Sequence, residues 1–170
     1  MWGVGTHLVT AKDQPAFDGV YKLSAIKDEK GKWQHKLKIS EQLVKMTNPG
    51  ILQVRRFEER GSYIADMIYD TLTGFSEPVR IVEPNEAALV RTITKTDGSR
   101  DLLEPILKNG QLVKKLPSLS AIQKHCQEEQ AKFYPAIRRF LNPQMYLAGL
   151  EKSLFDLKLR LIDEIQTRES

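Results

Sequence analysis

The sequence predicts an α+β chain, an antiparallel β meander followed by C-terminal helices. Three observations carry this. As far as about Pro84, short apolar segments alternate with polar residues at the two-residue period of half-buried strands, divided by glycine, proline and asparagine turn signals. Asn109-Gly110 stands between two further apolar runs as a hairpin-type turn. From Pro117 onward the apolar residues recur at steps of three and four, which is a helical period.

Taken in order, Val20–Ile26 reads as a strand and Asp28-Glu29-Lys30-Gly31 as a turn. Lys36–Ser40 alternates, with Leu37 and Ile39 on one face and lysines on the other. Asn48-Pro49-Gly50 breaks the chain before a strand over Leu52–Phe57. A turn at Glu59-Arg60-Gly61 leads into a strand over Tyr63–Tyr69. The pattern predicts a meander with one face in water. Val79 to Leu116 adds further strands. Ser120 and Gln123 are spaced for a capping box at the start of a helix bearing Leu119, Ile122, Cys126 and Phe133. Pro135 ends or restarts it, and Ile137, Phe140 and Leu141 fill a short second segment. After Asn142-Pro143 a long helix is predicted to carry Leu147, Leu150, Leu154, Leu157 and Leu161. Phe155, Leu159, Ile162 and Ile165 widen that stripe, so it packs on a sheet rather than forming a narrow zipper.

The totals exclude several function classes. With 170 residues and 41% hydrophobic content the chain can close one core. A net charge of +4 is mildly basic, and its short clusters (Arg55-Arg56, Lys114-Lys115, Arg138-Arg139) form no dense stripe. This argues against a nucleic-acid binder. One cysteine, Cys126, permits neither an internal disulfide nor a cysteine-based zinc site, and points to a reducing, cytoplasmic compartment. No apolar run approaches membrane-spanning length.

The opening stretch, WGVGTHLVT, carries the chemistry. Glycines at positions 3 and 5 let main-chain N–H groups approach a ligand closely, and the Thr6 hydroxyl adds a donor, together forming a concave anion site. The chain opens inside this motif, which predicts a part of a longer polypeptide. Taken alone, Gly-x-Gly-Thr is a weak signal and also fits a plain bend.

The longer stretch WGVGTHLVTAKDQPAFDGVYKL resembles the segment that closes the barrel of nicotinate phosphoribosyltransferases. The resemblance continues through KLKISEQLVKMTNPGILQV, YIADMI, LLEPILKNGQLVKKLPSLSAI and RRFLNPQMYLAGLEKSLFDLKLRLI, in the family's order and over nearly the whole chain. It implies a type II phosphoribosyltransferase, which joins nicotinate to 5-phosphoribosyl-1-pyrophosphate with coupled ATP hydrolysis. The products are nicotinate mononucleotide, which feeds NAD synthesis, and pyrophosphate. It also implies that the N-terminal loop is the end of an incomplete α/β barrel. Residues 1–16 would then close the barrel, 17–116 form a mainly β segment, and 117–170 a helical one. Gly3, Gly5 and Thr6 match the loop that grips the ribose 5-phosphate, with His7 at its rim.

The family's phosphorylated histidine, pyrophosphate-binding arginine and nicotinate contacts lie upstream of this loop. None of His7, His35 and His125 stands where the family has its phospho-acceptor. No catalytic or metal-binding residue is therefore expected here, and ATP and magnesium belong to the complete enzyme. The expected partners are phosphoribosyl pyrophosphate or nicotinate mononucleotide, the N-terminal part of the same enzyme and, in the complete protein, a second subunit. Nucleic acid and membrane are not expected. A non-catalytic assembly module, or a fragment of a nicotinamide or quinolinate phosphoribosyltransferase, is the alternative; Gly19-Val20-Tyr21-Lys22-Leu23 favours nicotinate.

The other polar residues read blandly. Lys12 and Asp13 are a solvated loop. Lys38 and Lys45 are surface or hairpin residues. His125 and Cys126, adjacent on a helix, point apart, and Cys126 reads as a small core residue. Asp66 could partner Arg55 or Arg56, but alternation favours solvent. Trp2 packs the loop, and Trp33 is a candidate interface residue.

Overall fold

The computed structural model describes Gly5 and residues 21–40, 46–83 and 86–169. Its longest ladder joins β3 (Leu52–Glu59) to β4 (Ser62–Asp70) antiparallel, from Leu52 opposite Asp70 to Glu59 opposite Ser62. Arg60 and Gly61 both take positive φ, 52° and 73°, the twist that a two-residue hairpin turn demands. A bulge follows Phe57: Ala65 faces Phe57 while Tyr63 faces Glu58, leaving Ile64 as the extra residue.

These strands sit in a six-stranded sheet of order β6-β5-β10-β4-β3-β7. The others are β5 (Val79–Glu83), β6 (Glu86–Ile93), β7 (Gly98–Asp101) and β10 (Ala148–Glu151). Two hairpins stand apart: β1 (Ala25–Lys27) with β2 (Trp33–His35), and β8 (Leu107–Lys108) with β9 (Gln111–Leu112). The Asn109-Gly110 turn forms as expected, with φ of 50° and 74°. Among the described residues the helices are α1 (Leu119–Ala131) and α2 (Lys152–Glu169). Among the described residues no helix is long and apolar enough to cross a membrane.

An antiparallel sheet followed by C-terminal helices is therefore the observed architecture, with corrections of detail. The helix expected after Asn142-Pro143 begins only at Lys152. Leu150 lies in β10, which runs parallel to β4 and antiparallel to β5 in the middle of the sheet. Local sequence hid this because Leu147, Leu150 and Leu154 keep helical spacing by coincidence. Gly149, a poor helix residue, was the contrary signal. An added Cβ there would stand 2.7 Å from Ile81 Cγ2 and closer still to the Val82 carbonyl oxygen, so only glycine lets β5 lie against β10. The Glu151 carboxylate starts α2 by accepting from the backbone N–H of Ser153 (2.8 Å) and Leu154 (3.1 Å).

The expected wet face is also corrected, since β4 is buried on both sides. On one side Leu154 and Phe155 of α2 pack against Val82 and Leu150, with Leu52 and Ile68 at the edge. On the other, Phe57 of β3, Met67 of β4, Ile81 of β5 and Ile93 of β6 share one cluster, with Phe75 and Leu147 packed against it.

Strand β2 is Trp33–His35, and 36–40 are irregular, where alternation predicted a strand. The cap of α1 is Ser118, two residues before the expected one; its side chain accepts from the Ala121 N–H at 3.3 Å. Helix α1 buries none of its residues, and Cys126 is exposed rather than a core residue. Phe140 and Leu141 are exposed as well.

Candidate functional site

Of the predicted phosphate loop, Gly3, Thr6 and His7 lie outside the described residues, as do Trp2, Lys12, Asp13 and Lys45. Gly5 is exposed, with open space where a Cβ would project. Downstream of the loop, the chain is moored to the sheet at two points. The Ser24 carbonyl accepts from the N–H groups of Lys36 and Gly50, both at 2.8 Å. His35 Nε2 lies 2.6 Å from Asp70 Oδ2. Asp70 is 1% exposed, and its other oxygen accepts from the backbone N–H of Ile51 (3.0 Å) and Leu72 (3.1 Å). Gly50, at φ 108°, lies so close that a Cβ would meet the Asp70 carboxyl carbon at 2.7 Å. A buried carboxylate with three donors is a stable anchor, and it fixes the hairpin that follows the loop.

Successive residues of β3 send two arginines to opposite faces of the sheet. Arg55 grips Asp101 with two bonds, Nε–Oδ1 at 2.8 Å and Nη2–Oδ2 at 2.9 Å, and lies 5.0 Å from the centre of the Phe75 ring. The bond from Arg55 holds the Asp101 carboxyl below the ordinary carboxylate range, against burial. Burial and the Asp101 charge push the Tyr69 hydroxyl, 3.2 Å away, upward.

Arg56 faces the other way and binds Asp66 through Nε–Oδ1 at 2.8 Å and Nη2–Oδ2 at 2.7 Å. Of the two readings open for Asp66, solvent exposure fails: it is the bidentate partner of Arg56, and Tyr146 donates to it at 2.9 Å. Burial, reinforced by the Asp66 carboxylate, raises the Tyr146 pKa. The Arg56 guanidinium also lies 4.6 Å from the Tyr63 ring centre and 5.3 Å from that of Phe133.

This cluster reaches α1 through Glu129, which accepts from Tyr63 Oη (2.8 Å), from Arg56 Nη1 (3.4 Å) and from Arg100. Burial pushes the Glu129 carboxyl up, but the Tyr63 hydroxyl and the Arg100 charge outweigh it, leaving the group below the ordinary range. A groove of about 450 Å³ runs beside Glu129 between β7 and α1. His125 and Cys126 both line it.

These clusters are saturated internally: among the described residues no buried side-chain nitrogen or oxygen lacks a hydrogen-bond partner. No group of three or more His, Cys, Asp or Glu among them could hold a metal. The arrangement stiffens the sheet and orients what is attached to it. The sequence admits an Asp66–arginine pair while its alternation favours solvent, and it gives no sign of Tyr146 as the third member or of the His35–Asp70 link. The local signal for the pair was charged residues inside apolar strands. Trp33, 37% exposed with Lys27 Nζ 5.0 Å from its ring centre, sits on the β1–β2 hairpin.

Comparison with known proteins fits this geometry. Residues 52–158 match the family described as Nicotinate phosphoribosyltransferase C-terminal domain. The nicotinate phosphoribosyltransferase of Bacillus subtilis is 33% identical over 99% of this chain and 35% of its own length. That of Caenorhabditis elegans is 32% identical over 91% of this chain and 27% of its own. The crystal structure of human nicotinic acid phosphoribosyltransferase superposes with a TM-score of 0.59 at 27% identity, covering 68% of this chain and 24% of that one. The chain thus spans about a third of the length of the curated relatives it matches.

Proposed function

Because the chain belongs to the nicotinate phosphoribosyltransferase C-terminal domain family, we propose that it is the C-terminal portion of a cytoplasmic nicotinate phosphoribosyltransferase. The complete enzyme joins nicotinate to 5-phosphoribosyl-1-pyrophosphate, releasing nicotinate mononucleotide and pyrophosphate with ATP and magnesium. The observation that carries this reading is the 33% identity to the Bacillus subtilis enzyme over 99% of the chain.

In this reading the main-chain amides around Gly3 and Gly5 and the Thr6 hydroxyl hold the ribose 5-phosphate, with His7 at the rim. Holding one end of the sugar lowers the entropic part of the barrier while pyrophosphate departs from the other. Stabilisation of the developing ribosyl cation belongs to groups outside this chain. The sheet is the rigid backing: Asp70, through His35, fixes the hairpin that follows the loop. Turnover needs the barrel that the N-terminal part supplies, and the complete protein works as a homodimer.

The test supplies nicotinate, phosphoribosyl pyrophosphate, ATP and magnesium and measures nicotinate mononucleotide. The chain alone forms none. A chimera in which it replaces the matching third of the Bacillus subtilis enzyme turns over. There, Thr6→Val raises KM for phosphoribosyl pyrophosphate about tenfold, the loss of one hydrogen bond to a charged group. Turnover by the chain alone, or an unchanged KM in the variant, refutes the proposal.

A further inference from the structure

After β7 the chain leaves the sheet and returns to it, pinned at two places. At the first, the Leu102 N–H donates to the Val54 carbonyl at 2.8 Å, and Leu103 exchanges two bonds of 2.9 Å with the Gln53 side chain. Residues 103–128 are then exposed throughout, and among the described residues no bond from 104–128 reaches the sheet. Glu104 pairs with Lys114, the β8–β9 hairpin with itself, and Lys124 with Glu128. Helix α1 has little of its own to keep it helical. It buries no residue, carries no acid in its first turn and no base in its last, and its 13 residues lie at the length where a helix in water is marginal. Glu129 adds to the difficulty, since a carboxylate near a helix C-terminus opposes the helix dipole. Yet Glu129 is the first residue of this segment that is not exposed, and it is held from three strands at once. Its donors are Arg56 of β3 at 3.4 Å, Tyr63 of β4 at 2.8 Å, and Arg100 of β7.

We propose that residues 104–131 form a strap with a charge-operated latch: the Glu129 carboxylate, clasped by one donor from each of three neighbouring strands, keeps α1 helical and seated on the sheet. Loss of that charge lets α1 melt while the sheet stays whole. Arg56 is not stranded when the latch opens, because Asp66 still holds it with two bonds. The pivot is Phe133, whose ring meets Tyr63 and Tyr146 edge-on at 5.2 and 5.0 Å, beside the Lys132 carbonyl that accepts from the Tyr63 N–H at 3.0 Å. None of these contacts needs the carboxylate. The latch also decides whether the groove between β7 and α1 exists, since His125, Cys126 and Glu129 are its helical wall. The charged and titratable neighbours of Glu129 set when it opens. On the sheet these are Arg56, Tyr63, Arg100 and Asp101; on the strap they are Glu104, His125 and Cys126, with Lys132 just beyond. Burial raises the Glu129 carboxyl, but the Tyr63 hydroxyl and the Arg100 charge outweigh it, and His125 adds to them. The latch is therefore closed above about pH 4.5 and opens as pH falls through the lower folded value.

Hydrogen exchange read by mass spectrometry tests this on the 170-residue chain and on the variants E129Q and R100M. At neutral pH, E129Q lowers the protection of 119–131 about tenfold, the effect of losing hydrogen bonds to a charge, and leaves β3, β4 and β10 as they were. R100M acts in the same direction by a smaller factor. As pH falls from neutral to about 3, the protection of 119–131 declines in the parent chain and stays level in E129Q. The sign of the E129Q effect separates a latch from a helix that stands alone, in which removing the carboxylate would relieve the dipole and raise protection. Unchanged or higher protection of 119–131 in E129Q overturns the proposal. So does an acid-driven decline that persists in E129Q, or a loss that a folded E129Q shows equally in β3 and β4. Should E129Q not fold, R100M decides, at a side chain 47% exposed. Protection lost in 119–131 alone then supports the latch, and unchanged protection refutes it.

Discussion

Asp66→Ala separates the energetic roles in the Arg56 cluster. Both partners of the pair are 15% exposed, so the surviving guanidinium would stay largely out of water. It loses two charge-assisted bonds, at 2.8 and 2.7 Å, and the Tyr146 hydroxyl loses its acceptor. Breaking a buried pair from one side costs about 3–5 kcal/mol. Glu129, 3.4 Å from Arg56, remains as a partial partner and sets the cost near the lower end, about 3 kcal/mol. With a urea slope of ~2 kcal/mol per molar, the unfolding midpoint falls by about 1.5 M. The double variant Arg56→Met with Asp66→Leu leaves neither charge of the pair behind and costs about 1 kcal/mol or less. Circular dichroism against urea reads both. A double variant as destabilised as the single one, or a single variant that shifts the midpoint by less than about 0.3 M, refutes the view that an unpaired charge is the costly species.

Three further outcomes follow from the geometry. The carboxyls of Asp101 and Glu129 lie below their ordinary values in the folded chain, so their contribution is full above about pH 4.5 and is lost as pH falls through the lower folded values; urea midpoints across pH 2–7 should drop in that acid window, and less steeply in Asp101→Asn and Glu129→Gln. Gly149→Ala forces a methyl against the Val82 carbonyl and Ile81 Cγ2, costing about 3 kcal/mol or more; an unfolding free energy within about 0.5 kcal/mol of the parent's would show that β5 yields. Ser118→Ala removes the cap of α1, worth about 1 kcal/mol; because α1 buries nothing, hydrogen exchange should quicken in 119–131 while β3, β4 and β10 keep their protection.

How much was legible depended on how local the physics was. Turns were read correctly at Arg60-Gly61 and Asn109-Gly110, because positive φ is a demand the residue itself must meet. The strands around them, β3 and β4, were legible through their alternation and boundaries. The candidate loop was legible only as a resemblance, and of its residues only Gly5 is described. The charge clusters were illegible because their partners lie far apart in the chain: Arg55 with Asp101, Arg56 with Glu129, His35 with Asp70.

By itself, then, the sequence determined the α+β class, the family, and the turns that place β3 beside β4. Each of these is written in side-chain chemistry within a few residues, or in the order of motifs. Only the tertiary structure decided that Ala148–Glu151 enters the sheet as β10 instead of starting the helix. A strand in the middle of a sheet is chosen by the open edges of its two neighbours, here β4 and β5, and by the room that Gly149 leaves between them. The direction of α1 was also a tertiary matter, because an amphipathic stripe states what a helix would bury and not whether anything stands there to receive it.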